Sequence, residues 1–142
     1  GQARIATAAS LLGHSILVPS SIANPDENGQ IHGAIDLPQS SSNVTVNFMD
    51  ADTDELVHAI ELGPTPKGIV GFSWDNLPEN RRSENQKFRL EATANFASGE
   101  HIIKPSIYSQ VLSVSNDAEN NSVGLNTSAL EELDLSQVTK FR

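Results

Sequence analysis

The chain has 142 residues, 37% of them hydrophobic, and its nine Lys and Arg against eighteen Asp and Glu leave a formal net charge of −9. That field repels a phosphate backbone, which argues against nucleic acid as a partner. The absence of cysteine excludes a disulfide framework, thiolate metal sites and a cysteine nucleophile, and no apolar run approaches the ~20 residues that span a bilayer.

The start, Gly1-Gln2-Ala3-Arg4, has neither Met nor the pattern of a charged region followed by an apolar one, so no secretory signal peptide is expected. Residues 2–12 are rich in helix formers, with Ile5, Ala8, Ala9 and Leu12 in one apolar stripe and Gly13 placed to stop the helix. His14 to Val18 reads as a strand ended by Pro19, and residues 20–29 as a polar, turn-rich loop.

Ile31, Gly33, Ile35 and Leu37 alternate with polar or small residues in the next strand. Val44, Val46 and Phe48 do the same, followed by a charged hairpin loop at Asp50–Glu55 and a returning strand from Leu56 to Leu62. Pro64, Pro66 and Gly68 form a turn, after which Val70, Phe72 and Trp74 point one way. Trp74 is the only tryptophan, hence the largest single apolar surface on offer to a core.

A polar connection covers residues 75–86. Phe88, Leu90, Ala92, Ala94 and Phe96 then give the clearest alternation of the chain, and another strand begins at His101. Strands at intervals of eight to twelve residues with turns between predict a sandwich of the immunoglobulin or fibronectin type III class.

Ser106–Ser115, Ser122–Asn126 and Leu133–Leu135 are further strands, with one helical turn expected at Thr127–Glu132. Together with His14–Val18 they make a second, smaller barrel. The predicted class is therefore all-β: a sandwich over residues 31–107 inserted between barrel segments 13–30 and 108–142, with residues 1–12 as a short N-terminal helix.

The spacing Asp50-x-Asp52-x-Asp54, with Glu61 twelfth, matches the ligand positions of an EF-hand loop. Its sixth position is Glu55 instead of glycine, and strands flank it, so it is read as a solvated acidic hairpin tip. The histidines at 14, 32, 58 and 101 show no metal-ligand spacing. Neither a Gly-x-Ser-x-Gly elbow nor a glycine-rich phosphate loop is present. Arg81, Arg82, Lys87 and Arg89, with Lys67, gather five of the nine positive charges, but interleaved Glu79 and Glu84 make this a mixed solvated loop. No catalytic, cofactor-binding or metal residue is assigned and no cofactor is expected: the chain reads as a binding or assembly module, not an enzyme.

Four separated segments resemble the C-terminal part of the bacterial flagellar hook-capping proteins, also called basal-body rod modification proteins. They are Ala9-Ser10-Leu11-Leu12-Gly13 through Pro19; Ala34-Ile35-Asp36-Leu37-Pro38 with Asn43–Val46 and Asp50-Ala51; Leu62-Gly63 with Phe72-Ser73-Trp74-Asp75; and Val123-Gly124-Leu125 with Leu133 through Phe141. The chain departs from the family pattern at 76–88, which lacks the family's glycines and tyrosine.

The resemblance implies a fibronectin type III-like sandwich inserted in a Tudor-like barrel. It also implies a secreted scaffold that caps the growing flagellar hook and promotes hook subunit assembly during flagellum biogenesis. The implied partners are hook subunits and, in the full-length protein, further copies in a cap oligomer; neither nucleic acid nor a membrane is among them. The implied location is the extracellular hook tip, reached through the flagellar secretion apparatus. The family's export and attachment signals lie in an N-terminal region absent here, so the chain is expected to be a fragment, and its charge opposes self-association of this stretch alone. A generic fibronectin-type adhesion or carbohydrate-binding module is the alternative, with Tyr108 as the one candidate sugar platform.

Overall fold

The structure is a computed structural model and describes residues 2–129 and 133–138. The chain divides into two compact units, residues 19–107 and residues 1–18 with 108–142. It is nearly all β, with one short N-terminal helix.

In the larger unit the strands are β2 (Ile22–Ala23), β3 (Ile31–Leu37), β4 (Ser41–Asp50), β5 (Leu56–Thr65), β6 (Gly68–Trp74), β7 (Phe88–Phe96) and β8 (Gly99–Ile103). One sheet has β4 at its centre, antiparallel to β5 on one side and β7 on the other, and β7 carries both β2 and β8 on its far edge. The facing layer pairs β6 with β3, and β3 with Ser106 and Ile107, the first residues of β9 (Ser106–Asp117).

The period-2 pattern sets which faces meet. Val44, Val46 and Phe48 of β4 and Phe88, Leu90, Ala92 and Ala94 of β7 are all buried, as are Ile31, Ile35 and Leu37 of β3. Across the gap, the Phe48 ring lies 5.0 Å from Trp74 and 6.1 Å from Phe72, and Trp74 meets Phe88 edge-on at 5.2 Å. Each such buried side chain contributes roughly 1.5–3 kcal/mol of hydrophobic stabilisation. Gly33 sits where any Cβ would stand 2.5 Å from both Phe72 Cζ and the Ser106 carbonyl oxygen. Close approach of neighbouring strands therefore demands glycine there.

The structure corrects several details. Val70 is only half-buried, unlike Phe72 and Trp74. Pro64 belongs to β5 and not to the turn, which β5 tolerates because it is an edge strand bonded only to β4. Gly68, at φ +115, takes the left-handed side of the reversal. Residues 19–30 cluster with the larger unit instead of the barrel, because Ile22 and Ala23 pair with Arg89 and Phe88 of β7.

The smaller unit holds α1 (Gln2–Ser10), β1 (Ser15–Pro19, of which Pro19 falls in the larger unit), β9 from Tyr108 onward, β10 (Ser122–Thr127), β11 (Leu133–Asp134) and a 3-10 turn at Leu135–Gln137. Its strand order among the described residues is β1–β9–β10–β11, an open path and not a closed barrel. Ala8, Leu11, Ile16, Val18, Val111, Val123, Leu125 and Leu133 form its core. The helix buries Ala8 and Leu11, so Ile5 and Leu12 of the predicted stripe face outward. Gly13 does end the helical stretch with φ +81, and its N–H donates to the Val111 carbonyl at 3.0 Å. Leu135, expected in the last strand, instead opens the 3-10 turn, which Asp134 and Gln137 cap reciprocally. The helical turn expected at Thr127–Glu132 and the apolar Phe141 fall in part or wholly outside the described residues.

Candidate functional site

The acidic hairpin tip and the basic loop, read from sequence as separate features, meet in space. Asp50 ends β4 and is buried, 8% exposed. Its Oδ1 accepts the N–H groups of Asp52 at 2.8 Å and Thr53 at 3.2 Å, closing the turn. Its Oδ2 accepts Arg81 Nη1 at 2.5 Å, while Arg81 Nη2 donates to Glu55 Oε1 at 2.8 Å. Asp54, at φ +63, receives Arg89 Nη2 at 2.9 Å. The Asp52 N–H, and then Arg81, hold the Asp50 carboxyl below its ordinary range.

A calcium loop would need those carboxylates turned inward together with Glu61. Instead Glu61 stands opposite Thr45 in the β4–β5 ladder and accepts its hydroxyl at 3.0 Å. That is five residues along β4 from Asp50, roughly 17 Å at ~3.3 Å per residue. Arg81 and Arg89 already engage three of the tip's four carboxylates.

The basic group is divided. Arg81 and Arg89 serve the tip, Arg82 Nε donates to the Leu77 carbonyl at 2.7 Å, and Lys67 lies at the β5–β6 turn. The connection 75–86 is not merely polar: Leu77 is fully buried and Glu79–Arg81 makes a 3-10 turn. Asn24 Nδ2 also holds it by donating to the Gln86 carbonyl at 3.0 Å. The signal for that anchoring was present as Leu77-Pro78, an apolar residue before a turn-former, but a single apolar residue carries no period.

Among the described residues no group of three or more His, Asp or Glu is placed to hold a metal ion. His32 Nε2 lies 3.0 Å from Gln30 Oε1, 3.9 Å from Asp26 and 4.0 Å from Asp75. Ser73 donates its hydroxyl to the Asp75 carboxylate, and both side chains are exposed. His58 stacks on Trp74, and burial lowers its pKa from 6.5. Tyr108 is half-buried, a poor sugar platform. What the surface does offer is apolar contact: Leu56, Ile69 and Ile102 in the larger unit, and Ile5, Leu12 and Leu112 in the smaller one, are exposed.

Residues 20–97 match the family model described as the FlgD Ig-like domain. The crystal structure of FlgD from P. aeruginosa is 26% identical, with a TM-score of 0.72, over 91% of this chain and 97% of that one. FlgD from Xanthomonas campestris, whose structure is described as giving insights into the hook capping essential for flagellar assembly, is 25% identical, with a TM-score of 0.74, over 98% of this chain and 99% of that one. No curated protein sequence matches. The family model spans more than half of the chain and covers the sandwich from β2 to β7, with the tied-down 75–86 connection; the chain belongs to the FlgD family.

Proposed function

We propose that this chain works as part of a flagellar hook cap, a scaffold at the tip of the growing hook beneath which exported hook subunits add. The observation that carries this reading is the likeness to a hook-capping FlgD along 98% of the chain, both units included. On this reading the chain acts by protein–protein contact, has no catalytic centre, leaves the cell through the flagellar secretion apparatus and works within a cap oligomer of the full-length protein. We also propose that the sandwich is an insertion in a Tudor-like unit, which leaves each core complete and offers two separate surfaces to partners.

The test is complementation of a non-motile strain lacking its cap protein with full-length protein deleted for residues 31–107. The expected result is export without efficient hook growth. Normal hooks and swimming from the deletion would overturn the assignment of the capping contacts to the sandwich.

A further inference from the structure

The free edge of β8 is built to pair with itself. Ala97 and Ser98 are the two residues between the paired Phe96 and Gly99, so that closing pair must exchange both of its backbone bonds. Antiparallel ladders alternate, and the register Asn95↔Glu100, Ala94↔His101, Thr93↔Ile102, Ala92↔Ile103 is unbroken. The backbone groups of Gly99, His101 and Ile103 therefore face β7, while those of Glu100 and Ile102 face outward; Lys104 follows the strand directly and precedes Pro105, which biases it to extended backbone.

Among the described residues β8 pairs only with β7, residues 99–102 are exposed, and Ile102 is 71% exposed, the most exposed large apolar side chain. By the pleat, Glu100, Ile102 and Lys104 share one face. We infer that this edge docks the same edge of a second copy, antiparallel and centred on Ile102.

In that register Ile102 meets Ile102, and Glu100 meets Lys104 twice, so the contact is two-fold and closed. Ile102 carries outward backbone groups, so the central pair exchanges two bonds. A centre on His101 would set Glu100 against Ile102 and gain neither match. The other long edges are less suited. β5 is broken by Pro64 and by three register shifts, and the outer face of β6 carries Ile69, Gly71 and Ser73, with no complementary charges. The net charge of −9 opposes association over distance, but screening at physiological salt confines that repulsion to about 8 Å, and the local pairs then decide.

The inference concerns the isolated chain and does not depend on the hook-cap reading, so sedimentation equilibrium of purified protein tests it without touching motility. The chain should show a concentration-dependent monomer–dimer equilibrium in 150 mM salt. Glu100→Lys should weaken it about ten-fold by opposing like charges, and adding Lys104→Glu should restore it. Ile102→Pro should abolish the dimer yet keep the β7–β8 ladder, because the lost N–H faces outward; a circular dichroism melt checks the fold. A chain monomeric up to ~1 mM, a dimer indifferent to Ile102→Pro, or a failure of the charge reversal to rescue would each overturn the proposal.

Discussion

The imidazole of His58 on β5 lies flat on the indole of Trp74 on β6, ring centroids 4.5 Å apart and planes 12° from parallel. This contact links the two layers of the sandwich through one edge strand of each, and Phe48 packs against both rings.

Replacing Trp74 by Ala should destabilise the protein by about 3–5 kcal/mol, because the indole contacts Phe48, His58 and Phe88 and its neighbours cannot all collapse into the space. Urea unfolding followed by circular dichroism measures this. In the wild type, iodide should quench the Trp74 fluorescence poorly, since the side chain is buried.

His58 makes stability depend on pH in one direction. Burial lowers its folded-state pKa below 6.5. As pH falls through 6.5 the unfolded chain takes up the proton first, so stability declines, and the decline stops once the folded imidazole is protonated too. Comparing stability at pH 7.5 and pH 5.5 in the wild type and in His58→Gln should show a smaller loss in the variant. An identical loss in both would place the dependence elsewhere.

Asp50 acts in the acid range. Its folded pKa lies below the ordinary aspartate value of 3.8, held there by the Asp52 N–H and Arg81. Its stabilising contribution is present above 3.8 and is lost as pH falls through the lower folded value. Asp50→Asn should therefore melt several degrees lower than wild type at pH 7 and lie closer to it near pH 2. Thermal melts across that range measure the convergence.

Calcium should not shift the melting temperature. A site tighter than ~10 μM would add a few kcal/mol at millimolar metal, whereas Asp50 and Asp54 are already engaged by Arg81 and Arg89. An upward shift reversed by a chelator would show that the arginines can be displaced.

Gly33→Ala should cost about 1–3 kcal/mol, the range for overpacking a core. The new methyl would meet a backbone carbonyl, which cannot swing aside as a side-chain tip can. Chemical denaturation against wild type tests it.

Much of the sandwich was legible because a half-buried strand writes its burial directly as alternation: Val44 to Phe48 and Phe88 to Ala94 follow it, whereas Ala34, read as outward, is buried and Phe96, read as inward, is half-buried. What stayed hidden depended on contacts distant in sequence. Ile22 and Ala23 are too short a pair to show a period, and only β7 makes them a strand. Leu77 is buried although its neighbours are polar, and α1 is turned so that Ala8 and Leu11 face the core instead of Ile5 and Leu12. The acidic tip and the basic loop were each visible as composition, yet their pairing joins Asp50 to Arg81, thirty-one residues on, across an intervening hairpin.

The central position of β4 has a consequence in time. Its partners β5 and β7 cover both of its sides, and Val44, Val46 and Phe48 are wholly inaccessible to water. Deuterium can reach the amides of its ladder only when the unit opens as a whole, whereas in the monomer the outward amides of Glu100 and Ile102 need no opening at all. The same sheet thus contains a clock that runs at the rate of global unfolding and a margin that exchanges almost at once.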